Sequence, residues 1–188
     1  MSSSADSVSA AATDDFVAQL AGLSPDGATA ALRAFRGDAT RYTQGSHDAL
    51  FSTEVTDLTL RERLYAAWYA ALLSNAEQTA LAYRERLLAL ASAADAQTET
   101  TNSRLDAIAG QRAVALASIA KTDQRLAAIL LHTEALTLRP AATGKPALST
   151  LQAAGLTTRA IVALSQLVAF VTYQVRVVAA LRALEAKA

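Results

Sequence analysis

The sequence of 188 residues has no cysteine, only three prolines and seven glycines, and few aromatic residues. The absence of cysteine excludes disulfides, thiolate metal sites and thiol nucleophiles, and it is consistent with a reducing cytoplasm. Few residues break helices, while alanine and leucine, both strong helix formers, dominate the composition. The composition therefore predicts an all-α, cytoplasmic protein.

Neither sign of charge is in excess, since 17 basic residues balance 17 acidic residues. A balanced chain has no general attraction for nucleic acid or for anionic membranes. The most apolar stretch, residues 160–184, is interrupted by polar residues that include Ser165, Gln166, Gln174 and Arg176. A membrane span needs about 20 residues with few such interruptions. We therefore expect neither nucleic acid nor a membrane as a partner.

The beginning of the chain differs in composition from the rest. Residues 1–12 are rich in serine and alanine and lack the basic and apolar regions of a signal peptide, which predicts a disordered leader. Residues 13–188 are long enough for one domain with a sizeable core. Thr13, Asp14 or Asp15 offers an N-cap for the first helix.

Several helix boundaries are marked by local signals. Thr59 followed by Glu62 forms a capping-box pattern before a strong amphipathic helix. Ser24 is expected to cap the second helix. The polar residues 94–103 are expected to form a loop, and a single helix that crosses Gly110 should follow.

The last helix is predicted from Thr158 to about Leu184. Its apolar residues form a continuous stripe: Ile161, Leu164, Val168, Val171, Val175 and Val178. Further apolar side chains broaden the stripe beyond one face: Val162, Phe170, Tyr173, Val177 and Leu181. Such a helix must be buried centrally or shared with another subunit, which predicts a homo-oligomer, a dimer or larger.

Two ordered blocks between Ala30 and Leu184 carry a resemblance to a known family. The later block contains Leu136-Thr137 with Pro140, then Leu151 with Gly155-Leu156, then a long apolar helix with Arg176. This order resembles the AhpD-like superfamily of alkylhydroperoxidase D and carboxymuconolactone decarboxylase, in its peroxidase-related branch. Val175 stands where that branch usually has asparagine. The resemblance implies an AhpD-like helical bundle with a central, long C-terminal helix.

The earlier block runs from Arg61-Glu62-Arg63 to Arg84, where the family has Cys-x-x-Cys followed by histidine. Counting along the helix places the two cysteines at Ala76 and Thr79 and the histidine at Tyr83, with Glu62 near the family acid. Without a thiolate and a resolving thiol, thiol peroxidase chemistry is excluded. The resemblance is therefore to a cysteine-less branch, in which these positions are vestigial.

Three functions are compatible with this sequence. The first is a non-peroxidase binding or structural subunit, whose partners would be further copies of itself and a cysteine-containing AhpD-like relative. The second is a decarboxylase- or isomerase-type enzyme that needs no thiol and uses His47 or Glu62 as acid and base. The third is a carrier of a small apolar ligand in a cavity beside Ala76.

The candidate acid–base groups also have structural interpretations. His47 precedes Asp48, which can tune an imidazole towards neutral pH, but the pattern favours a structural histidine at a helix surface or helix end. The simpler interpretation of Glu62 is that it is only the capping-box partner of Thr59. His132 lies in an apolar helix, where a packed histidine is expected. The two histidines lack metal-ligand spacing, so we expect no metal and no cofactor.

Overall fold

The computed structural model describes residues 15–92 and 98–187, and every regular element in this part of the chain is helical. The prediction of an all-α protein is confirmed. The predicted leader, residues 1–12, lies outside the described residues. The helices are α1 (Phe16–Ala21), α2 (Ala28–Phe35), α3 (Gly37–Phe51), α4 (Leu60–Leu73), α5 (Glu77–Ser92), α6 (Thr98–Gly110), α7 (Arg112–Thr122), α8 (Gln124–Leu138), α9 (Lys145–Ala153) and α10 (Thr158–Glu185), with a 3₁₀ turn at Pro140–Ala142.

The chain separates into two compact units, of which the first comprises the described parts of Met1–Ala49 and Gln174–Ala188. In this unit Asp15 caps α1 by accepting hydrogen bonds from the backbone N–H groups of Val17 and Ala18. The same carboxylate pairs with Arg33 of α2. Gly22 ends α1 with φ 66°, a left-handed conformation that glycine adopts without strain. Asp15 therefore fixes both the start of α1 and the position of α2.

The second unit, Leu50–Tyr173, contains α4 to α9 and the first part of α10. Helix α4 packs against α5 and α8, and α7 packs against α8 and α6. Eight residues in a row on α4, Leu64–Ala71, are buried because neighbours cover more than one face. Large side chains that are fully buried in this unit include Leu58, Leu64, Tyr65, Tyr69, Tyr83, Leu87, Leu105, Ile108, Ile129, Leu130 and Leu151.

Two boundaries predicted from the sequence are wrong and one is partly wrong. Gly110 ends α6, and a separate helix begins at Arg112, because Gln111 leaves the helical conformation with φ −135° and ψ 61°. Helix α2 begins at Ala28 after Gly27, since Ser24 lies in a turn three residues earlier. The predicted loop at 94–103 is helical from Thr98 onwards, and its residues 94–97 lie outside the described part.

Helix α10 is long, as predicted, but it is not enclosed within this chain. Leu164, Leu167 and Val171 are fully buried, whereas Val162 and Tyr173 remain 51% and 46% exposed. By length and composition alone α10 could also cross a membrane, with 44% of its most apolar stretch buried. The core helix of a soluble protein has the same length and composition, so these properties establish no location.

Candidate functional site

The three positions that the resemblance to the AhpD-like superfamily assigns to two cysteines and a histidine lie at or just before the first turns of α5. Thr79 and Tyr83 are fully buried, one turn apart on the same face, while Ala76 is half-buried just before the helix. The ring of Tyr83 stacks on Phe51 with centroids 5.4 Å apart. The guanidinium of Arg86 lies 4.6 Å from the Phe51 ring centroid and 5.9 Å from that of Tyr83. These side chains fill this end of α5 with packed aromatic groups.

The hydroxyl of Thr79 is the polar group at this position. Its Oγ1 is buried and has no hydrogen-bond partner among the described residues. An unpaired buried hydroxyl destabilises a protein by about 1–3 kcal/mol. A threonine methyl nevertheless packs like a small apolar side chain, and the geometry gives Thr79 no base that would activate its oxygen.

Glu62 uses both carboxylate oxygens in hydrogen bonds. Oε2 accepts from the backbone N–H of Thr59 at 2.8 Å and from its hydroxyl at 3.0 Å, which completes the predicted capping box. Oε1 accepts from Nε of Arg125 on α8 at 2.6 Å. Arg125 also donates to the carbonyls of Asp57 and Gly155. Glu62 is thus part of a network that joins three segments distant in sequence.

Arg63, which the sequence analysis did not single out, is a charged side chain buried in the core. It is 2% exposed. Its nitrogens donate to five backbone carbonyls that lie before α4 or at its first turn: Leu50, Ser52, Val55, Leu58 and Thr59. Burial lowers the pKa of Arg63, and the adjacent Glu62 opposes this shift. The guanidinium organises the connection between α3 and α4.

The second candidate acid–base residue, His47, is buried in the first unit. Its ring lies 4.5 Å from that of Phe16, and Nδ1 is 3.0 Å from Oδ1 of Asp48. The same Asp48 oxygen accepts from Nε2 of Gln44 at 2.8 Å. His47 and Glu62 belong to different units, and each is held by its own partners.

A third polar group lies where α4, α7 and α8 meet. The buried hydroxyl of Tyr69 donates to Oε2 of Glu134 at 2.5 Å, and Arg112 lies 3.9 Å from the same oxygen. Burial, followed by the hydrogen bond to Glu134, raises the pKa of Tyr69 well above its usual value. Tyr69 therefore stays protonated at neutral pH and acts as a fixed hydrogen-bond donor.

His132 of α8 is packed in the core, as the sequence indicated. Its Nε2 is 3.4 Å from Oγ of Ser165, whose own proton is donated to the carbonyl of Ile161. His132 is consequently the donor in this contact, with its proton on Nε2. Its Nδ1 is buried without a partner among the described residues. Burial lowers the pKa of His132 below that of an exposed histidine.

We expect His132 to make stability depend on pH. Because its pKa is lower in the folded state, the unfolded chain binds more protons below about pH 6.5. The free energy of unfolding should therefore fall as the pH decreases from 7 to 5, by at most about 1.4 kcal/mol for each pH unit. Urea unfolding of the wild type and of His132→Leu at both pH values measures this difference. His47 is present in both proteins, so an equal decrease in both would contradict a role for His132.

No model of a known protein family matches this sequence, and searches of curated proteins and of solved structures return no match. Within the described residues, no group of three or more histidine, aspartate or glutamate side chains is placed to hold a metal ion. The interpretation of the site therefore depends on its own geometry and on the motifs in the sequence.

Proposed function

We propose that this chain is an AhpD-like protein without thiol peroxidase chemistry, which serves as a binding or structural subunit. The observation that carries the proposal is the packing at the positions of the missing catalytic groups. Thr79 and Tyr83 are buried, and the ring of Tyr83 stacks on the buried Phe51. A peroxide substrate requires a reactive group that solvent can reach, whereas buried side chains at these positions contribute to folding stability.

The same packing distinguishes this proposal from the two alternatives. A ligand carrier requires a cavity beside Ala76, whereas Thr79, one turn further on, is buried and Tyr83, one turn beyond that, stacks on Phe51. An acid–base enzyme requires a carboxylate or imidazole that can reach substrate. Both Glu62 oxygens accept hydrogen bonds from Thr59 or Arg125, which favours a structural role for Glu62.

A subunit role predicts assembly. The expected partners are further copies of this chain and a cysteine-containing AhpD-like relative from the same organism. Co-expression of the two proteins, followed by size-exclusion chromatography and native mass spectrometry, should give a homo-oligomer or a complex of defined stoichiometry. A protein that remains monomeric at about 100 µM, and that binds no such relative, would contradict a subunit role.

The loss of peroxidase chemistry is tested separately. With dithiothreitol as reductant, the purified protein should consume hydrogen peroxide and cumene hydroperoxide no faster than the same protein after heat denaturation. A rate above this background that scales with protein concentration would show that peroxide chemistry without cysteine persists.

A further inference from the structure

Helices α2 and α3 leave most of their apolar side chains exposed. Phe35 is 88% exposed and Leu32 is 64% exposed, although these two residues share one face of α2. Tyr42 of α3 is 65% exposed. Large apolar side chains that remain this exposed on neighbouring helices mark an interaction surface, because burial of each would contribute about 1.5–3 kcal/mol.

The exposed face of α3 has the spacing of a helix-pairing surface. Asp38, Tyr42, Gly45 and Ala49 follow one another at intervals of four, three and four residues, so they form one line along the helix. An open depression of about 440 Å³ lies on this face, lined by Arg41, Tyr42, Gly45, Ser46 and Ala49. Gly45 supplies space in the middle of the line, where the backbone of a second helix can approach closely. Tyr42, one turn away, supplies a large side chain for such a space.

Charges beside this line identify the partner. Arg41 and Asp48 are seven residues apart, so they occupy the same edge of the face. When two copies of α3 pack antiparallel about a twofold axis, Arg41 of each copy meets Asp48 of the other. The same arrangement sets Tyr42 of each copy over Gly45 of the other. A face that is complementary to itself in both shape and charge fits a second copy of this chain.

We infer that two copies of this chain associate through antiparallel packing of their α3 helices, with Tyr42 of each seated over Gly45 of the other. The inference rests on the proposed subunit role and specifies its surface. Within the described residues, Arg41 contacts the highly exposed Asp38 and both the ring and the hydroxyl of Tyr42. Asp48 accepts a hydrogen bond from Gln44 and lies beside His47, but it remains 62% exposed. Both charges can therefore reach a partner copy, since exposed pairs are weak and exchange readily.

The structure offers a substitution that should block the dimer without harming the monomer. A Cβ added at Gly45 meets no atom within 4 Å, and glycine inside a helix is less stable than other residues by about 0.5–1 kcal/mol. Gly45→Gln should therefore preserve or raise the melting temperature of the monomer. Its side chain should also fill the space over residue 45 that Tyr42 of the other copy would occupy. Gly37→Gln is the control, since Gly37 also has no atom within 4 Å but lies at the N-terminal end of the same helix, two turns away from Gly45.

Sedimentation velocity over about 1–200 µM measures the association, which for a single helix pair is expected in the micromolar range. The wild type and Gly37→Gln should dimerise, and Gly45→Gln should raise the dissociation constant at least about tenfold. A Gly45→Gln protein that dimerises like the wild type would refute this surface but leave the subunit role intact. A wild type that is monomeric throughout refutes self-association, and the subunit role then depends on the co-expression result alone.

Charge reversal tests the antiparallel register. Arg41→Glu and Asp48→Lys each place like charges together and should weaken self-association. In a mixture of the two variants every facing pair is attractive, so a heterodimer should form with a dissociation constant about tenfold lower than that of either variant alone. If the mixture associates no more tightly than its components, the antiparallel arrangement is wrong.

Discussion

Replacing Arg63 by alanine is expected to lower the free energy of unfolding by about 3–5 kcal/mol and the melting temperature by about 10 °C. The side chain is buried, and its removal leaves a cavity beside carbonyls that lose their donor. The carbonyls of Leu50 and Ser52 accept at 2.6 and 2.9 Å, and that of Leu58 accepts at 3.0 Å. Thermal and urea unfolding measure the loss.

Two further variants show whether the geometry of the guanidinium is the cause. Arg63→Lys keeps the charge but has one nitrogen where arginine has three, so it should recover only part of the lost stability. Arg61→Ala is the matched control two residues away. Arg61 contributes a cation–π contact with Tyr65 at 5.6 Å, which is worth about 1 kcal/mol or less. If Arg63→Ala lowers the free energy of unfolding by less than about 1 kcal/mol, water replaces the hydrogen bonds of the guanidinium at little cost and the expected role of Arg63 is wrong.

A cysteine introduced at Thr79 is expected to react with a thiol reagent at least about 100-fold more slowly than one introduced at Gln78. Thr79 is 1% exposed, whereas the adjacent Gln78 faces solvent. Because the natural chain has no cysteine, each variant carries a single reporter thiol. The buried thiol can react only when α5 opens, and burial also disfavours the thiolate.

Absorbance with 5,5′-dithiobis(2-nitrobenzoate) measures both rates, and addition of urea should bring them together once the chain unfolds. Comparable rates in the native proteins would mean that reagents reach position 79. That result would remove the main support for the proposed subunit role and favour a cavity of the kind that a ligand carrier needs.

Local signals in the sequence predicted much of the helical order. The capping box of Thr59 and Glu62 needs only residues three apart, and it is present. The end of α4 at Ser74-Asn75 and the end of α8 before Pro140 likewise coincide with residue types that interrupt helices. Gly110 was misjudged because its small propensity cost permits a helix to continue, and the backbone at Gln111 decides the outcome.

Contacts between distant segments could not be read from one sequence. Arg125 and Glu62 are 63 residues apart, and Tyr69 and Glu134 are 65 apart. Arg63 was concealed in the charged run Arg61-Glu62-Arg63, which resembles a solvated helix start. Its spacing of four and seven residues from the buried Ala67 and Ala70 was the available signal that it faces the core.

The irregular connection between α3 and α4 is held at several points along its length. Arg63 binds the carbonyls of Ser52, Val55 and Leu58, and Arg125 binds that of Asp57. A connection without regular structure ordinarily frays first and offers proteases a place to cut. Here its carbonyls accept hydrogen bonds from the buried Arg63 and the partly exposed Arg125, so residues 52–58 should open only together with the helices that carry these two side chains. Proteolytic cleavage within this loop would then report opening of the core.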